Sequence, residues 1–468
     1  MNLFRKKTLE SMLDSAKKTH LKKSLKTKDI AGIGIGAEVG VGIFVATGTG
    51  AHMAGPAIII SFVLAGIVAC LCGLCYSELA TMFPVAGSTY SYAYITFGEF
   101  IAMIVGWCLT AEYLVACSAV ASGWSGTLVG ILKNVGVTIP HAISASPSKG
   151  GALDLPAILI TLSLTYMLYY GMKESSHINN IIVCIKLFVI ALFLFLGVSH
   201  IQFSNYTSFM PHGPIGILAG TATIFFSFIG FDAIATTAEE AENPNRDVPR
   251  GLFICLAVVT VLYVSVAFVL TGMVNYKDII PENAVPGALA AVGINWGSAL
   301  VGVGAIIGMI STMIAVLYGQ TRIFMVMSRD GLIPKAFSKI HKKHNTPYIA
   351  TAITGIIAAV IAGFLPLDII VEFLSTGTLV SFIVVSLAVI VLRKTMPNFN
   401  RKFRCPGVPV LPLITVLCCI GLLIQLKTIT KIGFLCWLAI GIVVYFTYGI
   451  RHSTLNDSDK IKDSEEIG

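Results

Sequence analysis

Apolar stretches of about twenty residues, parted by short polar blocks, repeat along the whole chain. Twelve can be counted, at about 30–50, 57–79, 98–131, 153–171, 178–200, 214–238, 250–274, 288–320, 347–365, 368–392, 408–426 and 432–450. An α-helix of about 20 apolar residues spans roughly 30 Å of hydrocarbon, so the pattern predicts twelve transmembrane helices. The two longest stretches, 98–131 and 288–320, leave room for a piece lying in the interface. An even number of crossings puts both termini on one side.

One position breaks the pattern. Lys186 sits inside the run from Ile178 to Val198 and is the one Lys or Arg of 32 that falls neither at a membrane surface nor in a loop. A charge at mid-bilayer costs roughly 3 kcal/mol on insertion scales. Such a residue faces a protein interior, which makes Lys186 a candidate proton or ion site and the chain a candidate transporter.

Composition adds the sidedness. Hydrophobic residues make up 56% of the 468 and charged residues only 12%, against about 25% charged in soluble domains. With the N-terminus in the cytoplasm, 26 of the 32 Lys and Arg fall on the cytoplasmic side and five in outer loops, the bias expected of a membrane protein. The net charge of +8 is therefore a topology signal with an attraction to anionic lipid, and it gives no support to nucleic-acid binding. Residues 1–28 are basic and polar, without the apolar core of a signal peptide, and are expected to form a solvated cytoplasmic arm; residues 452–468 form a cytoplasmic tail.

The eleven cysteines avoid the outer loops, so no disulfide framework is expected. Cys70, Cys72 and Cys75 lie close together without His or Asp beside them and fit helix packing better than a metal site. His341 and His344 have ligand-like spacing but flank lysines in a basic loop and suggest a solvated face. No cofactor, metal or catalytic residue is expected: there is no HExxH, no intramembrane His cluster and no placeable Ser/His/Asp set. A sensor would need an attached signalling domain, and a channel would need a continuous polar stripe.

Two stretches carry a second irregularity. The first reads IAGIGIGAEVGVGIFVATGTG, with Gly32, Gly34, Gly36, Gly40 and Gly42 within eleven residues. Glycine costs about 1 kcal/mol each in a helix interior, so this helix should unwind near its middle; glycines for close helix packing are the plainer reading. In the sixth stretch Gly230 and Asp232 interrupt the apolar run. These are the first helices of two five-helix halves, and paired broken helices suggest an inverted repeat with the substrate at the breaks. Freed N–H groups there suit a carboxylate and freed C=O groups suit an ammonium, which together describe an amino acid.

The segments GIGAEVGVGIF, GSTYSYAYITFGE, FFSFIGFDAIATTAEEAENPNRDVPRG and GQTRIFMVMSRDGLIPKAF resemble those of the amino acid–polyamine–organocation superfamily, in its bacterial branch related to cationic amino acid transporters. The resemblance covers nearly the whole chain. It implies an all-α integral membrane protein of the cell membrane, with an inverted repeat of residues 29–200 and 213–393, two further helices within 405–451, and helices 1 and 6 broken. It also implies a substrate carboxylate held at Val41 and Gly42, where Val41 replaces the family's usual Ser or Thr. The ammonium would meet the backbone of Glu38, Phe226, Ser227 and Ile229, with the Phe226 ring as gate. Lys186 matches a fifth-helix lysine standing where sodium-driven relatives hold the ion, and Glu112 matches a third-helix acid, giving two proton-coupling candidates. Asp232 is either a cap of the second half-helix or a coupling residue.

The resulting expectation is a proton-coupled amino acid symporter working by alternating access, with amino acid, proton and membrane lipid as partners. Exchange without net proton movement is the alternative within transport. Apolar residues near Ala315, Val316 and Leu317 lean toward neutral, small or branched substrates. Glu38, where relatives have an apolar or small residue, leans toward lysine or arginine if it meets the substrate side chain, and toward no preference if it faces a vestibule or a nearby cation. The sequence leaves the oligomeric state open.

Overall fold

A computed structural model describes residues 3–7, 25–40, 42–83, 88–134, 136–171, 176–231, 234, 241–341, 343–344 and 346–456; at 88 and 176–179 it describes the backbone only. Among these residues the protein is helical, and pairing between extended segments is confined to isolated bridges. Helix α1, Thr27–Glu38, is followed by a break, a π-helical turn at Gly42–Ala46 and α2, Thr47–Ala54. Gly55, at φ +66° with Pro211 against it, turns the chain into α3, Ile58–Met82. Then come α4, Ser88–Phe97; α5, Glu99–Asn134; α6, Leu155–Tyr169; and α7, Ser176–Val198. Helix α8, Gly213–Ile224, runs into a 3-10 turn at Phe225–Phe228. The series closes with α9, Pro244–Met273; α10, Ala284–Ala291; α11, Asn295–Arg329; α12, Tyr348–Phe364; α13, Leu367–Thr395; α14, Val410–Gln425; and α15, Thr428–Val444.

Helix fills part of every one of the twelve apolar stretches. Seven described helical segments are long and apolar enough to cross a membrane, and four apolar helices are shorter. Large apolar side chains such as Phe195, Leu417 and Leu435 point outward, as lipid-facing positions do, so the protein is a multi-pass membrane protein.

The two long stretches behave differently. Gly98 turns the chain at φ +95°, and residues 99–131 lie in one continuous helix, α5. The stretch 288–320 is divided: its start belongs to α10, Gly293 turns the chain at φ +84°, and α11 continues to Arg329. Gln320 is buried in that extension, while Arg322 runs to the surface and stacks 4.4 Å from the Tyr318 ring.

Small residues set the packing. Along α5 and α11, Gly106 faces Met327, Gly319 faces Tyr113 and Gly302 faces Ile131, so the two helices run antiparallel with a glycine at each close crossing. Helix α15 is fastened to α5 by two indoles. Trp107 Nε1 donates to the Trp437 carbonyl at 2.8 Å, Trp437 Nε1 donates to the Trp107 carbonyl at 3.0 Å, and the rings stack at 4.8 Å.

The described ends of the chain meet on one face, called here the terminal face. Arg5 hydrogen-bonds Asn456 and pairs with Glu99 at 3.2 Å; Lys7 pairs with Asp330 at 2.5 Å. The backbone N–H groups of Glu99 and Phe100, freed at the start of α5, donate to the carbonyls of Arg5 and Leu3. This part of the basic arm is docked rather than solvated, because a buried carboxylate and an uncapped helix end need its charges and carbonyls. Nearby, Arg393 holds Glu78 with two bonds of 2.7 and 2.8 Å, and Arg401 adds a third at 3.1 Å.

Candidate functional site

The first break is narrower than its glycines suggest. Gly34 and Gly36 remain inside α1, where a Cβ would lie 2.4 Å from Ile234 and 2.7 Å from Val183. These two glycines serve close packing. The helix stops at Glu38, and Val39 turns to φ −74°, ψ 91°. In the sixth stretch the 3-10 turn ends at Phe228, Ile229 is extended at ψ 133°, and Gly230 takes φ +130°, a conformation that side chains resist. There a Cβ would also press on Glu38 Cγ at 3.0 Å.

The two breaks touch. A Cβ on Gly42 would lie 2.7 Å from Ser227 Cβ and 2.9 Å from Ser227 Cα, so glycine at 42 allows backbone-to-backbone approach. Tyr263 on α9 spans the pair: its hydroxyl lies 2.8 Å from the Glu38 carbonyl and 2.7 Å from the Ser227 carbonyl. One hydroxyl proton is shared between the two acceptors. The Phe226 carbonyl accepts from Ile229 N–H at 2.9 Å.

Lys186 reaches this assembly from α7. Its side chain is 1% exposed and crosses α11 at Gly308, where a Cβ would lie 2.9 Å from Lys186 Cγ. Nζ donates to the Gly36 carbonyl at 2.9 Å and to Thr312 Oγ1 at 3.0 Å. The Gly36 carbonyl is in the last turn of α1, which lacks onward helical partners, and a cation there complements the negative end of the half-helix. Thr312 passes its own proton to the Gly308 carbonyl at 3.1 Å, which leaves its oxygen free to accept from the lysine. Its hydroxyl also lies 3.0 Å from where a Cβ on Gly40 would be. The lysine is therefore bonded directly to the backbone next to the first break.

The remaining candidates are placed as follows. Glu38 is 3% exposed, and its carboxylate accepts from the Cys255 thiol at 3.1 Å on α9. Gly42, Phe226, Ser227 and Ile229 gather at the contact of the two breaks, and the first three are buried. Glu112 is buried on α5 against α13, where a Cβ on Gly377 would be 3.8 Å away; it belongs to the α5–α13 seam. Val41 and Asp232 lie outside the described residues. On α11, Leu317 is buried and Val316 partly so, while Ala315 faces outward and drops out of the apolar lining.

Sequence reasoning missed Tyr263 and Thr312. Each is a hydroxyl within an apolar run, and that was the available signal. Cys255 and Gly308 carry no such mark.

The site thus offers freed carbonyls, a buried ammonium and a close backbone crossing, with described residues around it buried. The amino acid permease family model matches residues 25–457. The chain is 43% identical over 461 residues to the branched-chain amino acid permease BcaP of Bacillus subtilis (strain 168), covering 97% of this chain and 99% of that one. It is also 43% identical over 458 residues to the methylthioribose transporter of the same strain, with the same coverage. To the vacuolar cationic amino acid transporter 4 of Arabidopsis thaliana it is 37% identical over 409 residues, which cover 85% of this chain and 68% of that protein.

Proposed function

Because the chain belongs to the amino acid permease family, we propose that it is a secondary active permease that imports neutral, branched-chain or small amino acids together with a proton. The observation carrying this reading is the contact between the two breaks, with Lys186 bonded to the backbone at the edge of one of them. A substrate ammonium suits the backbone carbonyls of Glu38, Ser227 and Ile229 at the contact of the two breaks. A carboxylate fits the N–H groups opening the turn at Gly42. Phe226 is the gate, and Lys186 carries the proton, with Glu112 and Asp232 as further coupling candidates.

The halves 29–200 and 213–393 form the inverted repeat, and rocking of one set of helices against the other gives alternating access. The protein sits in the cell membrane with both termini cytoplasmic, as its Lys and Arg distribution favours.

Two features favour neutral side chains. The Glu38 carboxylate is buried and accepts from the Cys255 thiol at 3.1 Å, which occupies part of the acid that a cationic side chain would need. Leu317 and Val316 are apolar. The name of a relative at 43% identity supports the branched-chain class.

Proteoliposomes loaded by radiolabelled leucine uptake, challenged in turn with valine, isoleucine, alanine, lysine, arginine and methylthioribose, test the assignment. Branched or small neutral amino acids should compete and lysine should not. Competition by methylthioribose alone would transfer the assignment to the second relative's substrate, which has neither ammonium nor carboxylate for the two ends of the site. Efflux that requires external substrate would establish exchange in place of symport.

A further inference from the structure

Helix α13 turns one face toward the sixth break. Ser375 and Phe382 lie about two helical turns apart on it and share that face. The Ser375 hydroxyl donates to the Thr223 carbonyl at 3.4 Å, just ahead of the 3-10 turn. The Phe382 ring lies 5.9 Å, centroid to centroid, from the Phe225 ring, where that turn begins. The same ring lies 5.1 Å from the Phe231 ring, in the residue after Gly230. One side chain of α13 therefore touches both flanks of the unwound segment.

A third helix closes the arrangement. Tyr76 of α3 lies 5.6 Å from Phe231 and 5.5 Å from Phe382, edge-on to them at 87° and 82°. In that geometry the positive edge of one ring meets the negative face of the next. The Tyr76 hydroxyl hydrogen-bonds Thr89 of α4, which steadies the ring. All four aromatic side chains are buried.

Filling a core is the common use of buried rings, and these fill one. Their placement does more. Phe226, Ser227, Ile229 and Gly230 all lie between Phe225 and Phe231. Ile229 is extended and Gly230 is at φ +130°, outside helical geometry. A regular hydrogen-bond ladder thus does not fix where this segment lies, and the rings gripping its two ends do.

We propose that Phe382 is a positioning residue for substrate binding. Its ring pins both flanks of the sixth break and so holds the Ser227 and Ile229 carbonyls in place for an ammonium. The proposal rests on the substrate reading given above for those carbonyls. Phe382 acts through Phe225 and Phe231, with Tyr76 as the brace behind them.

Hydrogen–deuterium exchange of the purified full chain reads the pin without any ligand. Loss of the ring pairs in Phe382→Ala should raise exchange about tenfold in peptides covering residues 224–231. Phe434→Ala removes a ring of equal size from another seam of α13, where Phe434 meets Phe373 at 5.6 Å. It should leave exchange at 224–231 at the parent level. Leucine binding to the same proteins gives the second readout: Kd should rise about tenfold in Phe382→Ala and stay at the parent value in Phe434→Ala. Phe382→Met refills the volume with a side chain that also packs on aromatic rings, and it should recover most of both losses. If Phe382→Ala does not give monodisperse protein, Phe382→Leu, which lacks the ring but keeps much of the volume, carries the same comparison. The proposal is overturned if exchange at 224–231 stays at the parent level, if Phe434→Ala raises it equally, or if exchange rises while leucine affinity is unchanged. A parent that binds no leucine, with exchange responding as expected, upholds the pin and overturns the substrate reading.

Discussion

Replacing Lys186 with methionine should uncouple transport from the proton gradient while leaving the site built. Methionine preserves most of the stem that crosses Gly308, so the α7–α11 packing is largely kept. What disappears is the ammonium and its bonds to the Gly36 carbonyl and Thr312 Oγ1. Bonds to a charged donor contribute about 1.5–3 kcal/mol each, and the acceptors left behind are buried, so thermal stability should fall measurably. The coupling effect is separate and larger in its readout. One proton moving with one substrate turns each pH unit of inward gradient into about 1.4 kcal/mol, or tenfold accumulation. A gradient of two units should let the parent concentrate leucine about a hundredfold in proteoliposomes. Lys186→Met should stop near equal concentrations inside and out, while leucine counterflow continues. A variant that still accumulates leucine near the parent's ratio would refute the assignment of the proton to this lysine.

Substitutions at three further positions probe the breaks. Gly42→Ala adds a Cβ that would meet Ser227 at 2.7–2.9 Å, so leucine affinity should drop at least tenfold in a monodisperse protein, and Gly42→Leu should drop it further; unchanged affinity in either places the substrate elsewhere. Tyr263→Phe removes only the hydroxyl between the Glu38 and Ser227 carbonyls, and a loss of about 1 kcal/mol should appear as about a fivefold fall in kcat/KM, with equal kinetics disproving the bridging role. Glu38→Gln keeps an acceptor for Cys255 and should leave the preference for leucine over lysine intact in side-by-side uptake; a parent that takes lysine and a variant that loses it would restore the cationic reading.

Much of the fold could be read because a bilayer imposes one strong rule: apolar runs of about twenty residues must be helices. The breaks were visible for a related reason, since Gly40, Gly42 and Gly230 are poor choices inside a membrane helix unless backbone must approach backbone. Lys186 stood out because its charge has to be explained at that depth. What escaped were contacts between residues far apart in sequence whose types are ordinary in a helix. Tyr263 is one aromatic among many until its hydroxyl is seen between two carbonyls. Gly34 looks like a helix breaker until Cys255 and Ile234 are found against it. The docking of Arg5 and Lys7 likewise depends on Glu99 and Asp330, which nothing in the basic arm announces.

The reciprocal indole pair has a use unrelated to transport. The chain has four tryptophans, and two of them, Trp107 and Trp437, lie stacked with an interplanar angle of 20°. Two chromophores held at that spacing couple their electronic transitions, so the folded protein carries its own near-ultraviolet circular dichroism marker for the seam between α5 and α15. The marker needs no label and can be followed in detergent or in lipid. A signal that persists through substrate cycling would identify that seam as stationary ground, against which movement of the broken helices can be measured.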